Sequence, residues 1–580
     1  MKNKGQIFYL FLPIAISSIL FIGYRFAVSD QCIYIPIMRR ILDSSLYPGD
    51  YLFYQPSGKY SILLPIVAYL SELLTMQWVF FMGYVIAITG LFWAVYRIAF
   101  SFSKSREVAC IAILLLCISR RQDQAIITQE TFFTLQPVAM PFSLMTLYFF
   151  IRGRYKLAVA FNAIAFLIHP IAAAPPFILL AFYLVFSVRR LGLRTVLKTF
   201  GVFLLITAPI LVWASISRSS GFRGASFFRI ASREWMGILY GRNTYAFPPL
   251  WNRSSWERLF SICLLLVVSM FLKIMYTEAG ERDKKALWIV TASLGCLGMA
   301  YLFGSVIPVP LFFQLQLARG LYMLMYIAFI YAAYVVWIGY SSHDSIDAKG
   351  IVIVSAAAIA TGDPLLVALG VLASITIWLR KKLPNIARAS GIVMSGIILY
   401  FSSRNFVFGV VVCTPVALFM VAEVLKAVKV MQWGAINRFV AIYIILIAVS
   451  AAKLHKDGLR VEFPYSKPPD TWTQAQLWAS ENTPEESVFI VPPDTSGFRN
   501  FSKRAIVGDR KDGAPGLFSE SYDLEWARRM KQLQSYGEFK DKDFVKLAEE
   551  YKAAFAVTRR NHELGFQRVY ENSDFYVYRL

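Results

Sequence analysis

Asp30 sits in Val28-Ser-Asp-Gln31, directly after an apolar run from Ile7 to Val28. That run is long enough to cross a hydrocarbon core of about 30 Å. A carboxylate at such a membrane surface can take a proton or bind a cation. Twenty residues on, Asp50 closes the turn Leu46-Tyr-Pro-Gly-Asp50. A second polar stretch, Ser119-Arg-Arg-Gln-Asp-Gln124 followed by Thr128-Gln-Glu130, interrupts apolar sequence and brings Asp123 and Glu130 to a membrane surface. The two acidic loops could meet over one cavity. The plain alternative is that acids at helix ends and in Pro-Gly turns are ordinary solvated residues.

His169 lies inside Phe166-Leu-Ile-His-Pro170, where an imidazole at membrane depth is costly unless partnered and the proline frees backbone acceptors nearby. It reads as either a structural or a functional histidine. Gln314, Gln316 and Arg319 fall between two apolar runs and would be unusual in lipid, so they are expected to face protein or a wet cavity. A guanidinium there can grip a phosphate by paired hydrogen bonds, or simply snorkel to headgroups. In Gly241-Arg-Asn-Thr-Tyr-Ala-Phe-Pro248, Arg242 and Asn243 stand beside aromatics that could stack on a sugar, although interfacial Tyr and Trp belts look the same.

These residues must be held by a membrane body. The chain is 57% apolar and 16% charged, more hydrophobic surface than a soluble fold can bury. Residues 453–580 carry 20 Lys/Arg and 20 Asp/Glu, so the whole net charge of +23 belongs to the first 452 residues. Such an excess marks short loops held at an anionic lipid surface and could also serve lipid phosphates. No basic stripe in the last 128 residues suits nucleic acid. The six cysteines are scattered, none of them in the tail, and the four histidines show no metal-ligand spacing, so neither a disulfide framework nor a His/Cys metal site is indicated.

The expected architecture is a multi-spanning helical domain over 1–452 with 11 to 14 crossings, carrying outer-face loops at 29–60, 119–131 and 216–257, and a small α/β soluble domain over 453–580. In the first loop, Ile33 to Leu42 reads as an amphipathic helix with Arg39, Arg40 and Asp43 toward water. Lys2 and Lys4 favour a cytoplasmic start. In the tail, Thr471 reads as a helix cap, with strands at 487–491, 504–508, 554–557 and 575–578 and helices at 520–536 and 541–552. It has no GxGxxG, GxSxG or P-loop, so no active site is placed there.

An acid ending the first helix, a second acid in Ser45-Leu-Tyr-Pro-Gly-Asp50, His169-Pro170, Gln316 to Arg319 and a C-terminal soluble domain together resemble the C-type (GT-C) membrane glycosyltransferases, closest to a bacterial branch. In the tail, Phe498 to Arg504, Asp509, Lys511 and Trp526 to Arg529 are similar to that branch's soluble domain. The resemblance implies sugar transfer from a polyprenyl-phosphate donor to a glycan, lipid or protein acceptor, at the outer face of a bacterial inner membrane. Asp30 would be the catalytic base or part of a metal site, with Glu130 as a second candidate ligand for a divalent metal. Asp50, Asp123, His169, Arg242, Gln316 and Arg319 would bind substrate, Arg319 taking the departing phosphate. No WWD-type signature is present, so protein N-glycosylation is not implied. A transporter or flippase, or a non-enzymatic envelope-assembly protein, is the alternative, although no internal repeat of the kind common in transporters is evident.

Overall fold

A computed structural model describes residues 14–54, 61–118, 129–217, 228–343, 345–380, 382–427, 461–465 and 468–580. Among these, six helices are long and apolar enough to cross a membrane: Met76–Ser103, Leu193–Val212, Arg253–Tyr276, Glu281–Val306, Leu317–Ser341 and Pro384–Ser403. Six shorter apolar helices lie among them, including Tyr155–Ile168 and Pro170–Phe186. The chain is an integral membrane protein. Leu317–Ser341 is apolar around its whole circumference and buried along most of its length, as the central helix of a body must be.

The short helices have a local cause. Pro170 cannot continue the ladder of Tyr155–Ile168, and the chain breaks at His169. The carbonyls left at the break are taken up by Ser61 Oγ, which donates to Ile168 at 2.7 Å, and by Ile62 N–H, which donates to Leu167 at 3.0 Å. Further on, Pro176 deprives the Ala172 carbonyl of its helical donor, and Ser143 (3.0 Å) and Tyr322 (3.1 Å) donate to it instead. An irregular backbone is thus kept inside the protein with its polar groups satisfied.

In the C-terminal domain five strands form one sheet in the order β2-β1-β3-β5-β4, with β1 Val488–Ile490, β2 Ala505–Ile506, β3 Phe555–Arg559, β4 Gln567–Glu571 and β5 Phe575–Arg579. β2, β1 and β3 run parallel, while β5 and β4 are antiparallel additions. The period of two is visible in β1 and β3: Phe489, Phe555 and Val557 face one core with Phe498, whereas Ile490 and Ala556 face another with Phe544 and Leu547. The strand β4 was not expected, because Gln567-Arg-Val-Tyr-Glu571 is a polar edge strand. The helix expected to be capped by Thr471 is capped by Asp470, whose carboxylate accepts from Thr473 N–H at 2.7 Å. The expected boundary at 452/453 lies outside the described residues, as does Asp123.

The domain is clamped onto the membrane body by a buried ion cluster. Arg499 makes two paired hydrogen bonds to Asp50 (2.7 and 2.9 Å) and two to Asp512 (2.7 and 2.9 Å), with the three side chains no more than 2% exposed. Around it, Tyr47 donates to the Arg499 carbonyl, Tyr51 donates to the Tyr522 carbonyl at 2.7 Å, and the Tyr51 and Tyr522 rings stack at 4.2 Å.

Candidate functional site

The turn before Asp30 is held in a costly shape. Ala27 and Ser29 both adopt left-handed backbone, φ 59° and 54°. The fully buried Gln31 fixes it, accepting from Val28 N–H at 3.2 Å and donating to the Phe133 carbonyl at 2.9 Å. Asn500 of the C-terminal domain adds a bond to the Ala27 carbonyl at 3.2 Å. Asp30 is thereby placed at the start of the helix Gln31–Leu42 without serving as its cap.

Its carboxylate pairs with Lys511, a residue of the C-terminal domain. The Asp30 side chain stays 46% accessible, so the pair lines open space between body and domain. Burial alone would raise the Asp30 carboxyl, but the Lys511 ammonium, with the Arg319 guanidinium close by, holds it below the ordinary aspartate value. Lys511 is aimed by the turn Arg510–Phe518: Asp509 caps it by accepting from Lys511 N–H (2.8 Å) and Asp512 N–H (3.0 Å).

Arg319 arrives from the opposite side, on a short turn entered through Gln316 in left-handed conformation, φ 47°. Its guanidinium lies 5.4 Å from the Tyr245 ring centre and donates to Gln136, while its buried Nε and the buried Oε1 of Gln316 have no hydrogen-bond partner among the described residues. A guanidinium with a spare buried N–H is a donor set waiting for an anion. Tyr245 is in turn positioned by Asn243, whose amide donates to its hydroxyl at 2.9 Å. His169 caps the helix Pro170–Phe186 through Nδ1, which accepts from Ala172 N–H at 3.2 Å. That leaves Nε2 as the nitrogen that carries the proton in the neutral ring. Tyr34, one turn along the helix from Asp30, is within electrostatic reach of Asp30, Glu130, Arg319 and Tyr245.

Arg242 closes the third side. It stacks over Trp526 at 5.0 Å and lies against Gly513, where any side chain would meet the Trp526 ring at 2.6 Å and the guanidinium at 2.8 Å. Only glycine lets the 510–518 turn approach so closely. Arg242 is also near enough to Asp30 for the two charges to act on each other.

Asp30, His169, Arg242, Gln316 and Arg319 are therefore carried to one region, where Lys511 joins them. Asp50 is elsewhere: in place of the expected contact with substrate, its carboxylate is fully buried and saturated by Arg499, Leu52 N–H (2.9 Å) and Ile506 N–H (3.0 Å). Glu130 is engaged by Thr134, whose hydroxyl donates to it at 2.8 Å. Among the described residues no three His, Cys, Asp or Glu side chains gather in a way that could hold a metal. The surroundings of Asp30 are already cationic, so the donor set does not fit a divalent ion. Sequence reasoning passed over Lys511, which had entered only through a family likeness. The acid spacing gave no hint of a partner 481 positions away.

A family model described as a domain of unknown function, DUF6798, matches residues 470–533. This is the stretch that holds Arg499, Lys511, Asp512 and Trp526, the residues that meet the membrane body. No curated protein matches the chain. Among solved structures, ArnT from Cupriavidus metallidurans bound to undecaprenyl phosphate superimposes with a TM-score of 0.44 at 14% identity, over 99% of this chain and 98% of that one. Its apo state gives 0.44 at 13% identity, over 100% and 98%.

Proposed function

We propose that the protein is a GT-C-like glycosyltransferase that moves a sugar from a polyprenyl-phosphate donor to an envelope glycan, lipid or protein acceptor. The observation that carries this reading is one accessible carboxylate, Asp30, ringed by the cations Arg319, Arg242 and Lys511 where a membrane body meets a soluble domain. An anion at the end of a lipid tail and a hydroxyl to be deprotonated are the substrates such a constellation suits.

In this reading Asp30 takes the proton of the acceptor hydroxyl, whose oxygen bonds to the anomeric carbon. The carbon–oxygen bond to phosphate breaks, and its electron pair leaves on the polyprenyl phosphate. Arg319, with its spare Nε, holds that phosphate, where charge builds up in the transition state. A carboxylate bound to an ammonium is a weak base. Arrival of the phosphate offers Lys511 a second anion, and transfer of Lys511 to it would free Asp30 at the moment a base is needed. The neutral His169 and Tyr34 line the same space as hydrogen-bonding groups for the sugar. Asp50 serves here to dock the domain rather than to bind substrate.

The positively charged start, Met1-Lys-Asn-Lys4, supports a cytoplasmic N-terminus and, with it, an outer-side position for Asp30 and the C-terminal domain in a bacterial cytoplasmic membrane. The reading is tested by incubating the purified chain with radiolabelled polyprenyl-phosphate sugars in lipid nanodiscs. Release of polyprenyl phosphate that depends on Asp30 is expected. Release unchanged in Asp30→Asn would remove the assigned base.

A further inference from the structure

A second space, mostly apolar in its lining but with a few polar groups, lies beside the helix Gln31–Leu42. Phe26 just ahead of the first loop, Ile35 and Arg39 within it, Met76 and Gln77 at the start of Met76–Ser103, Tyr465, and Asn500 and Phe501 of the C-terminal domain line a cavity of ≈ 200 Å³. One water occupies about 30 Å³ of liquid, so this is room for a ring-sized group. Three of its side chains carry buried polar atoms with no hydrogen-bond partner among the described residues: Arg39 Nη1, Gln77 Oε1 and Asn500 Oδ1. The Asn500 amide is oriented by its other end, since Nδ2 donates to the Ala27 carbonyl at 3.2 Å. Sequence had placed Arg39 toward water; the helix Gln31–Leu42 instead turns it inward, where it leans on Tyr47.

We infer that this cavity is a subsite for one sugar ring of the acceptor, a proposal that rests on the transferase reading. The unmet groups decide the ligand's chemistry. Arg39 needs an acceptor, while Gln77 and Asn500 need donors. Neighbouring hydroxyls supply both at once. A phosphate or carboxylate would supply acceptors only and face two carbonyl oxygens, and an acyl chain would supply neither. The rings of Phe26 and Phe501, 6.4 Å apart and edge to face, provide the apolar surface on which the C–H face of a pyranose lies. The position suits the task as well. Phe26 and Ala27 precede Asp30 by four and three residues, so the cavity adjoins the turn that carries the carboxylate. Gln77 opens a membrane-spanning helix, which sets the cavity at the level of the membrane surface.

The test is saturation-transfer NMR on the full chain in nanodiscs, with a panel of methyl pyranosides and, separately, decanol as an acyl mimic. At least one pyranoside is expected to receive saturation, with the signal falling at least about five-fold in Gln77→Leu and in Arg39→Met and persisting in Asp30→Asn. Gln77→Leu keeps the size of the side chain and lies outside the domain clamp, which guards against simple misfolding. No signal from any pyranoside, an equal signal in both variants, or saturation of decanol alone would overturn the subsite. Pyranoside binding with these dependences, in a protein that transfers no sugar, would leave the subsite standing and sink the transferase reading. Transfer without pyranoside binding would do the reverse.

Discussion

At the scale of single residues, the account turns on two ion pairs that look alike and do different work. Arg499 with Asp50 and Asp512 is dry and fully paired, so nothing is left over for a ligand. Lys511 with Asp30 is partly exposed, and the buried Nε of the neighbouring Arg319 has no partner among the described residues. Replacing Arg319 with Ala should lower the transfer rate by about 10²- to 10³-fold, the usual cost of losing a donor aimed at developing charge; steady-state release of polyprenyl phosphate measures it. Lys511→Met removes the cation that holds the Asp30 carboxyl down, so the acid limb of the pH–rate profile should move to higher pH. An acid limb that stays put would show that Lys511 does not govern Asp30. Asp30, His169 and Arg319 were legible in the sequence because each interrupts apolar surroundings where a polar group is expensive. Lys511 and Arg499 were legible only as parts of a family pattern, because in a densely charged tail one cation resembles its neighbours. The pairing of Asp50 with Arg499 left no mark in the sequence either, since the two stand 449 positions apart.

Among the elements, the decisive one is the turn Arg510–Phe518, which carries Asp512 into the clamp, Lys511 into the site and Gly513 against Arg242. Removing one member of a buried pair strands charge and costs about 3–5 kcal/mol. Arg499→Met should therefore loosen the domain, seen as faster proteolytic release of the 468–580 region, and should silence the site without touching it. A second element, the helix Glu520–Gln532, buries the Asp523 carboxyl beside the Trp235 indole and Arg242. Burial pushes its carboxyl up to about 7, although the nearby Arg242 pulls the other way. An unfolded aspartate ionises near pH 4. The folded state therefore loses stability relative to the unfolded one as pH rises from about 4, and the penalty is complete above about 7. Asp523→Asn should raise Tm most at pH 8 and hardly at all near pH 4, as followed by scanning fluorimetry. The helices and strands of the tail were readable from periodicity, which packing then confirmed. β4 escaped because an exposed edge strand buries too little to leave an apolar pattern.

For the molecule as a whole, composition alone separated a basic hydrophobic body from a neutral, densely charged domain. What it could not convey is that Asp30, His169, Arg242 and Arg319 of the body stand close together beside Lys511 of the domain. A membrane body working alone would not need residues 470–533 for chemistry, whereas this account does. The central claim is tested most directly by measuring transfer of radiolabelled sugar from a polyprenyl-phosphate donor panel by the purified full chain, beside Asp30→Asn and Lys511→Met. Turnover with at least one donor is expected, abolished in Asp30→Asn and altered in pH dependence in Lys511→Met. Turnover that is indifferent to both substitutions, or binding of every donor without any release of polyprenyl phosphate, would contradict it.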